Sequence, residues 1–531
     1  MPAVFQYESL LGLVAAAVLL EFVAWRLRLP PAAALVSGGI ALALIPGTPD
    51  LSIDPDLVLI VFLPPLLMSG AYFTVWREFR ANLSGILMLA VGAVGFTTLL
   101  VGLATKWMVP GLPWAVCFTL GAIVSPPDAV AADAVLERVS LPSRITALLR
   151  GESLLNDAAG LVLFRFALAA ALTGAFSVVD AIGTFCVLSI GGVVVGYTIG
   201  QGGLFLIRRL RDSELAIAAT FLLAAIAYIG GESLHVSGVI STVTAGLLVG
   251  WHQHTDFSAA TRVRGQAFWK IIVFLMESVL FIMIGLSLRG VLARIHTVDD
   301  GLHTLLLPAA TVVAAVIVAR FAWLLGSHAL LRTLQMLGFL RARRSSVATA
   351  ALMSWAGMRG VVTLVAALSL PDSLPGRDMI LVSAFAVILV TVLVQGSTLG
   401  RAIRCLRLNG AEDLLVQQES EDMAWICMSN AQQAAVLAMS KQPDGTQSHP
   451  RLVEQYTYRT QMAIAFAKDR TLHRQKEIAH FQVVLAAIEA GRMALIKLHR
   501  SGDIHDRTLR KMEEELDMQQ IAAEIRVSET E

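Results

Sequence analysis

Asp128, Asp133, Glu152, Asp157 and Arg165 all fall within residues 125–166, a stretch that otherwise reads as two membrane-crossing segments. An ionisable group in hydrocarbon costs at least ~2.5–3.5 kcal/mol on insertion scales, so each is a functional candidate by default. Ser125-Pro126-Pro127-Asp128 interrupts the first segment. Proline has no N–H, so a helix running through Pro126 and Pro127 leaves the carbonyls of Ala122 and Ile123 without their usual partners. At membrane depth such backbone is tolerated only where it lines a cavity or meets a ligand, and carbonyl oxygens facing a cavity are what a dehydrated cation needs. Asp128 then falls in the first turn of a restarted half-helix, where the positive end of the dipole stabilises a negative charge. The plain alternative is a proline kink with a capped, packed Asp128.

The second segment carries Gly151-Glu152-Ser153-Leu154-Leu155-Asn156-Asp157. Helical spacing sets Ser153 and Asp157 on one face, and Glu152 and Asn156 on the adjacent one. A carboxyl in low-dielectric surroundings resists ionisation unless a positive charge arrives. Asp157 can therefore hold a proton or a metal cation, and the two compete; that competition is the minimal mechanism of exchange. Glu152 needs a cationic partner, because an unpaired buried charge is strongly destabilising. Arg320, inside the apolar run 312–325, is the best candidate, with Arg165 and Arg359 as the others. Gly357-Met358-Arg359-Gly360 marks a second interrupted helix, and paired interruptions in two halves point to an inverted-repeat transporter with a midplane site. Arg359 there either holds the dipole ends of the breaks apart or simply packs. Glu277 and Asp133 are less specific intramembrane charges.

The elements that must position these groups are helices in lipid. Of 531 residues 56% are hydrophobic and 15% charged, against about 25% charged in soluble domains. Mostly apolar stretches near residues 8–25, 30–46, 54–72, 83–105, 113–136, 144–172, 180–206, 214–230, 235–251, 268–286, 303–326, 346–370 and 379–400 give about thirteen spans. One alternating set of loops carries Arg26, Arg28, Arg77, Arg80, Arg150, Arg208, Arg209, Arg211, Lys270, Arg341, Arg343 and Arg344, among others; the opposite set carries only Lys106, Arg289, Arg294 and Arg377. This asymmetry places the amino terminus outside and the carboxyl terminus in the cytoplasm. The expected organisation is an all-α, polytopic membrane region over residues 1–405 and a helical cytoplasmic region over 406–531, with a break at Gln442–Pro450 and a turn at 501–503. Cys117, Cys186, Cys405 and Cys427 show no metal spacing, the net charge of +1 gives no footing for nucleic acid, and the tail histidines read as solvated. No cofactor is expected beyond the transported cation and proton.

In order and spacing the chain resembles the monovalent cation:proton antiporter family that includes the bacterial NhaP-type proteins and the sodium/proton exchangers. The matching residues are Leu63-Pro64-Pro65-Leu66-Leu67, Asp128 after its break, Gly151 to Asp157, Phe281–Leu286, Arg320 and Gly357-Met358-Arg359-Gly360. The resemblance implies an NhaA-like fold of thirteen helices, a homodimer, and movement of a core domain against a dimerisation domain. It implies that Asp157 is the essential ion- and proton-carrying carboxylate, that Asp128 and Ser153 complete a Na+ site, and that Glu152 and Arg320 form a structural pair. Asn156 occupies the place associated with electroneutral one-for-one exchange. Ser69 stands where some relatives have a carboxylate, which leaves sodium, lithium and potassium open.

The expected function is antiport of Na+ for H+, with K+/H+ antiport as the alternative and a channel or uniporter behind it. No filter-like TVGYG occurs, and a titrating aspartate is superfluous for passive conduction. A membrane-embedded hydrolase is disfavoured: there is no HExxH or GxSxG motif.

Overall fold

The computed structural model describes residues 3–27, 29–45, 55–128, 142–174, 178–297, 302–337, 346–406, 411–442 and 446–530. Long runs of Leu, Ala, Val and Ile form helix because a backbone in lipid must satisfy its own N–H and C=O groups. Every apolar stretch expected from the sequence is occupied by helix among the described residues. These are α1 (Ala3–Leu27), α2 (Pro31–Leu44), α3 (Pro55–Tyr72), α4 (Trp76–Ala81), α5 (Leu83–Met108), α6 (Trp114–Val124), α7 (Ser143–Thr173), α8 (Val178–Ile207), α9 (Ser213–Ser233) and α10 (Gly238–Asp256). There follow α11 (Ala259–Leu286), α12 (Leu288–Thr297), α13 (Leu307–Met336), α14 (Val347–Trp355), α15 (Val361–Leu368) and α16 (Arg377–Cys405). Residues 129–136 of the fifth stretch, with Asp133 and the restart of the helix after Asp128, lie outside the described residues.

Four of the helix starts carry polar caps. Asp212 accepts from the N–H groups of Glu214 (2.7 Å) and Leu215 (3.1 Å), and Ser237, Ser258 and Ser346 accept in the same way at the heads of α10, α11 and α14. Each satisfies N–H groups that a first turn leaves orphaned. Three π-helical turns, Met88–Ala93 within α5, Leu302–Leu306 before α13 and Thr391–Gln395 within α16, shift the register of their helices. The last of these places Thr391 against the second break.

Large apolar side chains point outward over long lengths, such as Leu19, Phe22 and Trp25 on α1 and Val179, Ile182, Val187 and Ile190 on α8. Water would not tolerate such a surface; hydrocarbon does. Close helix crossings occur where glycine permits: a Cβ on Gly39 or Gly285 would strike the backbone of the facing helix, which lets α2 and α11 pack backbone to backbone. Two apolar clusters flank the broken helices. One gathers Ile123, Val124, Phe164, Val312, Val316 and Ala366; the other gathers Leu63, Leu67, Leu154, Ala158 and Val243.

The chain divides into two units, residues 1–409 and 410–531. The second is helical: α17 (Ala411–Ser440), α18 (Pro450–Lys468), α19 (Arg470–Arg500) and α20 (Asp506–Thr530). α17 packs on α18 and α19 on α20, and the Arg526 guanidinium lies 3.8 Å from the centroid of the Trp425 ring. Gly502 takes a left-handed conformation (φ 82°) in the turn between α19 and α20, a backbone that glycine adopts without strain. Beside it His499 donates from Nε2 to Asp506 Oδ1 (2.5 Å), which holds the Asp506 carboxyl below its ordinary range. That contribution is present at neutral pH and is lost as pH falls through the lowered value.

Candidate functional site

The two breaks meet. α6 ends at Val124 and the chain runs irregularly through Ser125–Asp128; α14 ends at Trp355 and regular helix resumes at Val361. The Asp128 N–H donates to the Met358 carbonyl (2.7 Å), joining segments more than two hundred residues apart. Gly360 lies so close that a Cβ there would overlap the Asp128 carboxylate. Gly360→Ala is therefore expected to displace Asp128 and raise the apparent KM for the cation in transport assays; an unchanged KM would show that the crossing relaxes freely.

Several of the carbonyls at the breaks have partners, as a buried backbone requires. Ser125 Oγ donates to Ala122 O (3.1 Å), so this carbonyl is closed by its own neighbour and not turned to an ion. Arg359, 1% exposed, donates from Nε to Val124 O (3.0 Å), from Nη2 to Ser125 O (3.3 Å) and from Nη1 to Gly357 O. A guanidinium across the C-terminal end of α6 opposes the negative end of that helix's dipole. The Arg359 N–H in turn donates to Thr391 Oγ1 (3.0 Å). Asn156 Nδ2 donates to Pro127 O, the last carbonyl before Asp128. Arg359 thus holds the end of α6, and Asn156 holds the backbone on which Asp128 is mounted.

Glu152 and Arg320 form a bidentate pair, Nη1 to Oε1 at 2.5 Å and Nη2 to Oε2 at 2.9 Å, with side chains 2% and 3% exposed. The pair ties α7 to α13, and the Arg320 stem lies against Gly357, where a Cβ would collide with it. Arg165, an alternative partner for Glu152, pairs instead with Glu232 (3.0 Å) on an exposed edge.

Asp128, Ser153 and Asp157 line one cavity of about 850 Å³, together with Pro126, Ser69 and Glu277. Ser153 and Asp157 share this face of α7, as their spacing implies; Glu152 and Asn156 do not line the cavity. Sequence reasoning missed Thr363, Lys270 and Arg150, which also line it. Lys270 and Arg150 read as loop charges, and Thr363 as one more small residue in an apolar run. Two carboxylates and a hydroxyl on a wall that includes a broken helix offer hard oxygen ligands, suited to an alkali cation or a proton.

Residues 12–405 match the family model described as the transmembrane sodium/hydrogen exchanger. The chain belongs to the sodium/hydrogen exchanger family. It is accordingly a multi-pass membrane transporter of the cation/proton antiport class and not an enzyme. This exchanger is 32% identical over 534 residues to an uncharacterised Na+/H+ exchanger of Mycobacterium tuberculosis, covering 98% of this chain and 96% of the relative. It is 31% identical to the Na+/H+ antiporter NhaP of Pseudomonas aeruginosa, over 74% of this chain and 95% of that one. It is 32% identical to a sodium, potassium, lithium and rubidium/H+ antiporter of Bacillus subtilis, over 68% of this chain and 55% of that one. The fold of the exchanger is similar to that of the sodium proton antiporter MjNhaP1 from Methanocaldococcus jannaschii, with a TM-score of 0.60 at 20% identity over 76% of this chain and all of that one.

Proposed function

We propose that the protein exchanges Na+ for H+ one for one, without net charge movement, with Asp157 holding either ion in turn. The observation that carries this reading is the convergence of Asp128, Ser153 and Asp157 on one cavity where the end of α6 meets the break between α14 and α15. With the site open to one side, Asp157 releases its proton and a partly dehydrated cation binds between Asp157, Asp128 and Ser153. Either occupant neutralises the site enough for a core domain to carry it across the membrane. The empty, doubly charged site crosses poorly, since burying uncompensated charge is costly, and this couples the two fluxes.

The finer statements belong to the same reading. Sodium is placed first because relatives include Na+/H+ antiporters; potassium or lithium is the alternative, and a relative from Bacillus subtilis is named for several alkali cations. The protein works as a homodimer in the cell membrane, amino terminus outside and carboxyl terminus in the cytoplasm. In that orientation Arg150 and Lys270, among the residues that line the cavity, belong to its cytoplasmic side.

The test uses purified full-length protein in liposomes with an internal pH dye. Sodium, lithium and potassium are added in turn, with and without an ionophore clamp on the voltage. Proton movement that follows the cation gradient and ignores voltage is expected. Proton movement that accelerates with voltage would refute one-for-one exchange, and current without proton flux would mean a channel.

A further inference from the structure

The cavity wall holds an oxygen that the exchange reading has not used. Thr363 lines the cavity with Asp128, Ser153 and Asp157, is 1% exposed, and its hydroxyl has no hydrogen-bond partner. Other buried helical threonines close theirs on a carbonyl three or four residues back: Thr98 on Val94 (2.9 Å), Thr105 on Val101 (2.8 Å), Thr119 on Ala115 (2.8 Å), Thr242 on Gly238 (2.9 Å), Thr220 on Ile217 (2.7 Å) and Thr391 on Ile388 (3.2 Å). Thr363 stands third in α15, so the residue four back is Arg359, within the irregular crossing rather than in a preceding helical turn. Neither that carbonyl nor the one of Gly360, three back, takes the Thr363 hydroxyl. A buried hydroxyl left without a partner is unfavourable, and valine would fill the same space without that penalty. The first turn of α15 is also next to the ion site, because Gly360 at its head packs against the Asp128 carboxylate.

We propose that the Thr363 hydroxyl is a ligand of the transported cation, a neutral oxygen added to the carboxylates of the same cavity wall, and that it favours small cations over large ones. The proposal rests on the antiport reading above. A cation that reaches this wall sheds water and needs protein oxygens in its place. Sodium and lithium hold water more tightly than potassium and approach an oxygen more closely, so they depend more on each ligand. Supplying the cation as the missing partner also accounts for a polar group at this position.

The experiment compares wild type, Thr363→Val, Thr363→Ser and Asp157→Asn, each as full-length protein in liposomes, with apparent KM and Vmax measured for Na+, Li+ and K+. Thr363→Val is expected to raise the KM for Na+ and Li+ about tenfold, the size of one lost bond to a charged group, with Vmax retained. The rise for K+ should be smaller, and Thr363→Ser should restore wild-type values. If the valine variant does not elute as a single species in detergent, Thr363→Ala is read in the same way. An unchanged KM overturns the proposal. So does an equal rise for all three cations, which would mean that the hydroxyl only positions a carboxylate. A wild type without cation-driven proton movement sinks the antiport reading itself; normal wild-type exchange, lost in Asp157→Asn but unaltered in Thr363→Val, sinks only the role of Thr363.

Discussion

Asp157→Asn is expected to abolish cation-driven proton movement in proteoliposomes while the protein still folds and elutes as the wild type does. Asparagine keeps the shape of the side chain on α7 and can still fill its place in the cavity wall. It can neither release a proton nor offer the negative charge that draws in a cation, so both halves of the exchange fail together. The loss should appear in Vmax and should not be rescued by raising the cation concentration. Asp128→Asn is a useful contrast, because it removes one of the two aspartates that line the cavity and leaves Asp157 in place. That variant should keep some exchange with a weakened apparent affinity. The measurement is the dye-reported proton flux after a sodium pulse, beside vesicles without protein. Exchange that survives in Asp157→Asn at wild-type rate would place the proton carrier elsewhere and undo the proposed cycle.

The sequence was most informative where physics leaves few choices. Runs of apolar residues in lipid must be helical, so each expected apolar stretch carries helix among the described residues. Pro126-Pro127 and the glycines on both sides of Arg359 sit where helix stops, whereas Pro64-Pro65 lie inside the continuous α3, so a proline pair alone does not dictate a break. The i, i+4 spacing of Ser153 and Asp157 put them on one face, and they line one cavity. Spacing could not say what each face meets. Asn156 is turned to the Pro127 carbonyl, a contact between α7 and the break that only the tertiary fold creates. The Ala122 carbonyl is closed by Ser125 from its own chain, a choice that local sequence allowed but did not require. Thr391 receives the Arg359 N–H because a π-helical turn in α16 places it there, and such turns leave little trace in hydrophobic periodicity. Arg165 was a candidate partner for Glu152 on charge alone; its position on an exposed edge gives it Glu232 instead. Residues that bind across a crossing were thus the least legible, because their partners are set by packing between distant segments.

Arg320→Met should be the most damaging substitution for the fold itself. It leaves Glu152 buried, its side chain 2% exposed, with its bidentate cation removed. Stranding one member of a buried pair costs about 3–5 kcal/mol, a large part of a typical net stability of roughly 5–15 kcal/mol. The expected result is poor yield and a markedly lower melting temperature in detergent. Replacing both members, Glu152→Leu with Arg320→Met, should recover most of that loss, since an apolar pair of similar volume needs no compensating charge. Neither residue lines the cavity, so the double variant, once folded, should also exchange cation for proton. The two variants together separate a structural role from a transport role. If the double variant folds well and yet does not exchange, the pair does more than tie α7 to α13, and its charges must shape the field in which Asp157 trades its proton for a cation. If it folds and exchanges, the buried pair serves to fix the register between the helix that carries Ser153 and Asp157 and the helix that supports Gly357, and the chemistry belongs to the cavity alone.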